Sequence, residues 1–65
     1  MNIGSRIRFF RRFAHLSQRG LADRIGMAPT QLSRYETGGA QPGLSVLSRI
    51  AGGLGIRVSE LLMDR

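Results

Sequence analysis

The sequence feature that most constrains the fold is a short break between two helical patterns. Leu21 and Ile25 repeat on one face of a helix, and Gly26 is suited to end that helix in a left-handed conformation. A second helix can begin at Pro29, because proline at the first helical position loses no hydrogen bond. Only residues 26–28 therefore connect the two helices. So short a turn containing glycine predicts two helices that cross at a large angle and not an up-and-down pair.

Apolar residues at helical spacing predict three further helices. The first covers residues 3–14, the fourth runs from Leu44 to Leu54, and a short fifth runs from about Val58 to Leu62. No segment shows the strict alternation of a strand. Because 65 residues allow one small domain, the expected fold class is all-α, with five helices joined by short connections.

The charge balance indicates a polyanionic partner. Ten basic residues, all of them arginine, face four acidic residues and give a net charge of +6. Nucleic acid and an anionic membrane surface are the two partners that such an excess favours. Arginine suits phosphates and guanine edges, but a GC-rich genome would also favour arginine over lysine. Both explanations for the absence of lysine stay open.

The sequence offers no constellation for catalysis or metal binding. It has no cysteine, His15 is its one histidine, and the four acidic residues are scattered. No apolar run approaches the roughly 18 residues of a membrane span. The segment RIRFFRRFAHL at 6–16 alone would pass for a cationic membrane-surface helix, but a bundle core requires the same apolar stripe. We expect no enzyme activity, cofactor, metal or membrane partner.

The third helix has two different faces. Leu32, Tyr35 and Glu36 project to one side. The other side carries polar groups of short to medium length, and such a face can enter a major groove about 12 Å wide and bond to base edges. These polar residues are Thr30, Ser33, Arg34 and Thr37, with Gln31 on the flank.

Short motifs recur in a characteristic order along nearly the whole chain. They include RIR at 6–8, LSQ at 16–18, LA at 21–22, LSRYETG at 32–38 and SELL at 59–62. In this order they resemble the phage-repressor and Cro-type helix-turn-helix family, also called the Xre family. The resemblance implies a five-helix, lambda-repressor-like DNA-binding domain over residues 1–65. Helices two and three would form the helix-turn-helix at about 18–37, with a recognition helix at 29–36 in the major groove.

The resemblance also implies which residues meet double-stranded DNA. Arg34 is the first candidate for reading sequence, since arginine can bond to both O6 and N7 of guanine; the alternative is a phosphate contact. In this family the residue at Gln18 contacts the phosphate backbone and often braces the start of the recognition helix. The expected base contacts are Pro29, Thr30, Gln31 and Arg34. The expected backbone contacts are Ser17, Gln18, Thr37, Gly39 and Gln41.

Structural roles follow from the same resemblance. Arg11 and Glu36 would form an ion pair that braces the domain. His15 stands where the family usually has glycine, so the first helix must end with a histidine in a left-handed or similar conformation. Arg57 replaces the usual cap of the last helix, which leaves Glu60 without a capping-box partner.

Two surfaces are candidates for a homodimer. One of them is a pair of phenylalanines, Phe9 and Phe13, for which the sequence leaves two interpretations open. The rings may be extra packing against a neighbouring helix or the chain's own C-terminus, or they may form a contact patch for a protein. The first surface comprises Ile56, Val58, Leu61 and Met63, and the second comprises Phe9 and Phe13.

The expected function is sequence-specific regulation of transcription, by a repressor that binds a palindromic operator as a dimer in a bacterial cytoplasm, encoded by a bacterium or a phage. The alternative is an antitoxin-type autorepressor or an interaction module that also binds a partner protein. Antitoxins of this family usually carry an additional toxin-binding segment, whereas this sequence ends three residues after SELL. That difference favours a stand-alone regulator or a domain fragment.

Overall fold

The computed structural model describes residues 3–63, and within them it contains five helices and no strand. The expectation of an all-α fold is therefore confirmed; residues 1, 2, 64 and 65 of the expected domain lie outside the described residues. Two helix ends differ from the expected ones by one residue: α1 ends at 13 and not at 14, and α3 ends at 37 and not at 36. The helices are α1 (Ile3–Phe13), α2 (Gln18–Ile25), α3 (Pro29–Thr37), α4 (Leu44–Leu54) and α5 (Val58–Leu62).

The connection between α2 and α3 has the short form that the sequence predicts. Ser17 caps α2, because its Oγ accepts a hydrogen bond from the backbone N–H of Gly20 at 2.9 Å. Gly26 ends the helix with φ at 68°, a conformation that glycine adopts without steric cost. Pro29 opens α3. The turn therefore needs no residues beyond 26–28.

His15 has the left-handed conformation expected of it, with φ at 60°. The backbone N–H of His15 donates to the carbonyl of Arg12 at 2.9 Å, and that of Leu16 donates to the carbonyl of Arg11 at 3.1 Å. This pair of bonds is the Schellman arrangement, which satisfies carbonyls at a helix end. The two bonds compensate for a backbone conformation that non-glycine residues seldom adopt.

The core lies where all five helices meet. Its largest fully buried side chains include Leu61, which is 1% exposed. Placing Leu61 on a dimer surface was therefore wrong, because this side chain lies in the core, where it helps to hold the short α5 against the rest of the chain. The fully buried side chains are Ile7, Leu21, Leu32, Ile50 and Leu61.

Five arginine side chains fasten one element to another by donating to main-chain carbonyls. Two of these bonds run in opposite directions between α2 and α4, so that each helix donates to the end of the other. The pairs, donor first, are Arg6 with Glu60, Arg11 with Leu16, Arg24 with Gly53, Arg34 with Gly39, and Arg49 with Ile25 and Gly26. Much of the positive charge within residues 3–63 is thus engaged in holding the fold.

Two adjacent glycines in α4 have opposite surroundings, and substitutions there should have opposite effects. A Cβ on Gly53 would lie 2.5 Å from Cγ2 of Ile25, whereas a Cβ on Gly52 would have no neighbour within 4 Å. We expect Gly53→Ala to destabilise the domain by roughly 1–3 kcal/mol through overpacking. Gly52→Ala should stabilise it by about 0.5–1 kcal/mol. Urea denaturation measures both, and a loss of stability in Gly52→Ala would contradict the packing of α4.

Candidate nucleic-acid interface

The helix α3 is divided into a buried side and an exposed side, as its sequence predicts. The buried residues are Leu32, Tyr35 and Glu36. The exposed residues are Thr30, Gln31, Arg34 and Thr37, while Pro29 is half-buried at the first turn. The polar face of α3 is therefore exposed to solvent. The residues on the opposite side of the helix pack against the domain and do not need to contact a ligand.

Arg34 extends from this exposed face towards the loop that follows α3. Its Nη2 donates to the carbonyl of Gly39 at 3.4 Å, in an exposed position. This bond is long, and the guanidinium has five N–H donors in all. Most of the donors of Arg34 therefore stay available to a ligand, and the bond draws the side chain towards the loop after α3.

The polar neighbours of Arg34 are also oriented by bonds within the helix. Nε2 of Gln31 donates to the hydroxyl of Tyr35 at 3.3 Å, which draws the Gln31 amide towards the flank. The hydroxyl of Thr37 donates to the carbonyl of Arg34 at 3.4 Å. Among the described residues of this face, Arg34 has the longest side chain that can still reach a partner outside the domain.

A buried cluster of charged and polar groups holds α3 from behind. Nε and Nη2 of Arg11 donate to the two carboxylate oxygens of Glu36, at 2.7 and 3.1 Å. The third nitrogen of the guanidinium, Nη1, donates to the carbonyl of Leu16 at 2.7 Å. Both charged side chains are buried, so a two-pronged pair of this kind is needed to offset the loss of hydration. The expected ion pair is present.

Gln18 joins the same cluster from the first turn of α2. Its Nε2 donates to Oε1 of Glu36 at 3.1 Å. Glu36 therefore fixes two elements, since it binds α1 through Arg11 and the start of α2 through Gln18. The bond leaves one N–H and the carbonyl oxygen of the Gln18 amide for another partner.

The close approach of α1 to the end of α3 depends on Gly4. A Cβ at this position would lie 2.5 Å from the carbonyl oxygens of both Tyr35 and Glu36. The sequence pattern of the first helix did not identify this packing role of Gly4. A glycine inside a helical pattern, away from any turn, was the available signal for a close backbone approach.

The candidate backbone-contact residues lie on both sides of α3. The loop after α3 is beside the exposed face, because Gly39 accepts the bond from Arg34. The start of α2 is beside the last turn of α3, because Gln18 contacts Glu36. The exposed candidates are Ser17, Thr37, Gly39 and Gln41, and Gln18 is half-buried. Of the candidates outside α3, Gln18 and Gly39 are the two whose hydrogen bonds to α3 are described, and both bonds lie in the second half of the helix.

The two candidate dimer surfaces differ from the expected picture. Phe9 and Phe13 are 57% and 75% exposed, so their interpretation as packing against a neighbouring helix was wrong. The other packing partner considered for them, the C-terminus of the chain, includes residues 64 and 65, which lie outside the described residues. Near the C-terminus, Met63 is 53% exposed, while Ile56 and Val58 are partly buried against the core. Leu62, 57% exposed, was missed. Since Leu61 and Leu62 are adjacent in a short helix, one of them had to face outward.

Residues 3–63 include no helix with the length and apolar character of a membrane span. The same residues hold no group of three or more histidine, aspartate or glutamate side chains placed to bind a metal ion. The candidate binding surface described above is the polar face of α3, with basic and amide groups at its edges.

Comparisons with known proteins agree with this geometry. A family model described as "Helix-turn-helix" matches residues 7–61. The immunity repressor protein of Bacillus phage phi105 is 36% identical over 62 residues, which cover 95% of this chain and 43% of that protein. An HTH-type transcriptional regulator of Mycobacterium tuberculosis is 43% identical over 58 residues, which cover 89% of this chain and 41% of that protein. The chain spans less than half the length of these curated relatives.

A solved structure is also similar over almost the whole chain. It is the crystal structure of SinR, the master regulator for biofilm formation, in complex with DNA. The two folds agree with a TM-score of 0.89 and 30% sequence identity, over 95% of this chain and 100% of that one.

Proposed function

Since this chain belongs to the helix-turn-helix family of the phage-repressor and Cro type, whose members are DNA-binding transcriptional regulators and not enzymes, we propose that it is a repressor. In this proposal two copies bind a palindromic operator, each with α3 in the major groove. The relatives come from a phage and a bacterium, which supports action in a bacterial cytoplasm. The exposed polar face of α3, braced by the buried Arg11–Glu36 pair, is the observation that carries the proposal.

We assign direct reading of a base to Arg34. Its exposed guanidinium has donors left for O6 and N7 of guanine, and its long bond to Gly39 can be exchanged for bonds to a base. Thr30 can contact a thymine methyl group or donate to a base. Gln31 reaches the edge of the site, while Pro29 offers only apolar contact because it lacks an N–H donor.

We assign phosphate contacts to the residues that flank this face. The first turn of α2 presents backbone N–H groups, and a helix N-terminus favours a phosphate. The Gln18 amide, oriented by Glu36, has an N–H left for that phosphate. The other proposed backbone contacts are Ser17, Thr37, Gly39 and Gln41.

A dimer would place two recognition helices one DNA turn apart, about 34–36 Å. We propose the exposed C-terminal residues as its surface. Leu62 and Met63 are more than half exposed there, and the partly buried Ile56 and Val58 precede them by four to seven residues. Burial of these apolar groups between two copies would favour association.

Replacing Arg34 with alanine should abolish preference at one base pair of each half-site. We expect a loss of roughly 1–3 kcal/mol in binding to the selected operator and a much smaller loss on random duplex DNA. The operator would first be selected from random DNA with the wild-type chain, and affinities would then be compared by fluorescence anisotropy.

The matched control for this experiment is Arg12→Ala, which removes an exposed arginine outside both the proposed DNA contacts and the proposed dimer surface. It should weaken both DNAs slightly and equally. If Arg34→Ala also weakened both DNAs equally, Arg34 would be a phosphate contact, and the assignment of base reading to it would fail.

The exposed ring pair on α1 favours a second candidate function, that of an interaction module that also binds a partner protein. Phe9 and Phe13 are both more than half exposed and lie outside the core of the described residues. Contiguous exposed apolar groups of this kind mark interaction sites.

A further inference from the structure

The side of α1 that faces away from the core carries an aromatic pair and a pair of arginines. The rings of Phe9 and Phe13 stack with centroids 6.3 Å apart and an interplanar angle of 17°. Arg8 and Arg12 repeat at the same four-residue spacing and form a parallel row beside the rings. We call this surface the α1 outer face, and it is lined by Ser5, Arg8, Phe9, Arg12, Phe13 and His15.

This surface contributes little to the fold of the described chain. On the opposite side of the same helix, Ile7 and Arg11 are buried. Phe10 packs against the core, whereas its neighbour Phe9 is 57% exposed and contacts the Phe10 ring in a T-shaped arrangement, at a centroid distance of 5.3 Å. Two large rings are therefore left in solvent at one place, and covering them would be favourable.

The α1 outer face is also positively charged. Arg8 and Arg12 form no hydrogen bond or ion pair with residues 3–63, and no acidic residue lines the surface. The other arginines of α1 are engaged within the domain: Arg6 donates to the main-chain carbonyl of Glu60, and Arg11 pairs with the carboxylate of Glu36. A complementary partner must therefore combine apolar side chains with negative charge.

We propose that the α1 outer face is the docking site for an acidic amphipathic helix of another protein. The rows of rings and of arginines run along the helix axis, and a second helix can match them with an apolar row and a carboxylate row at the same spacing. The apolar row covers Phe9 and Phe13, and the carboxylates pair with Arg8 and Arg12. This proposal does not depend on the proposed contacts to DNA.

Charge and ring geometry argue against other occupants. A two-fold contact between copies of this face would bring four arginines together, with no acidic residue in the lining to offset them. Duplex DNA hides the flat faces of its bases, so exposed phenylalanines would gain nothing from its phosphates. An anionic membrane surface shares the required chemistry, and it is a separate arm of the test.

The test uses two labelled synthetic helices of roughly 18 residues and the full chain. The acidic peptide carries leucines along one face and glutamates beside them, and in the basic peptide each glutamate is lysine. By fluorescence anisotropy we expect the acidic peptide to bind at least about tenfold more tightly than the basic one. Phe9→Ala/Phe13→Ala should weaken its binding about tenfold, and Arg12→Ala roughly threefold at low salt.

Matched controls come from exposed residues elsewhere. Leu44→Ala removes an apolar side chain that is 69% exposed on α4, and Arg57→Ala removes an exposed arginine. Both should leave peptide binding unchanged. Thermal denaturation and DNA binding of the double phenylalanine variant should match wild type, and Phe13→Ser alone serves where the double variant is unstable.

Several results would overturn the proposal. They are failure of the acidic peptide to bind, equal binding of the basic peptide, or binding that survives the double phenylalanine substitution. Vesicles of phosphatidylglycerol and phosphatidylcholine that bind through these rings, while the acidic peptide does not, would assign the face to lipid. If sedimentation showed a dimer of the wild-type chain that the double phenylalanine variant no longer forms, the α1 outer face would be an interface between copies. If the double variant lost affinity for DNA, the face would be assigned to DNA.

Discussion

Replacement of Arg11 by alanine is expected to leave a large fraction of the chain unfolded at room temperature. The substitution leaves the buried Glu36 carboxylate with one side-chain donor among the described residues, Nε2 of Gln18 at 3.1 Å. It also removes the bond from Arg11 to the carbonyl of Leu16. Breaking a buried pair by removing one partner costs about 3–5 kcal/mol. A domain of this size has a total stability of roughly that magnitude. Circular dichroism and thermal denaturation would measure the loss.

The adjacent residue provides the control for Arg11→Ala. Arg12→Ala removes the same charge from an exposed position that makes no bond within residues 3–63, so stability should change by about 0.5 kcal/mol or less. A double variant, Arg11→Met with Glu36→Leu, removes both buried charges and should recover much of the stability. Equal melting temperatures for Arg11→Ala and Arg12→Ala would show that the ion pair does not brace the domain.

Gly4→Ala is expected to have the second largest effect on folding. The added Cβ would meet two carbonyl oxygens of α3 at 2.5 Å, and main-chain atoms inside a helix cannot move aside singly. The helix α1 must therefore shift away from the end of α3, which also strains the contact between Arg11 and Glu36. We expect a loss of about 3 kcal/mol, at the upper end of the usual cost of overpacking. Urea denaturation gives the free energy of unfolding.

The comparison that isolates this effect is Gly52→Ala, which adds the same methyl group to a helix at an open position. Helix propensity alone makes any such change favourable by about 0.5–1 kcal/mol. A Gly4→Ala chain as stable as Gly52→Ala would mean that α1 and α3 do not cross as closely as described.

The helices and the brace were predictable because their signals are local or belong to matched motifs. Gly26 and Pro29 bound the turn by their own backbone preferences. The left-handed His15 follows from its position at the end of an apolar pattern, where the family has glycine. The pairing of Arg11 with Glu36 came from the resemblance, since nothing in the spacing of 25 residues brings the two together.

The errors concern contacts that local patterns cannot determine. The helix α5 has five residues, too few for periodicity to decide whether Leu61 or Leu62 faces the core. The need for glycine at 53 could not be predicted either, because helix propensity takes no account of Ile25 approaching from another helix. Whether Phe9 and Phe13 are covered depends on a neighbouring element, and none of the described helices covers them.

The arginine bonds to main-chain carbonyls constrain which arginines can be replaced by lysine during evolution. Nine of the ten arginines lie in residues 3–63, and five of these donate to carbonyls of another segment. Lysine keeps the charge but lacks the planar fork that reaches two acceptors at once. In a lineage whose genome becomes richer in adenine and thymine, we therefore expect arginine to be replaced by lysine first at the other four positions. Those positions are Arg8, Arg12, Arg19 and Arg57.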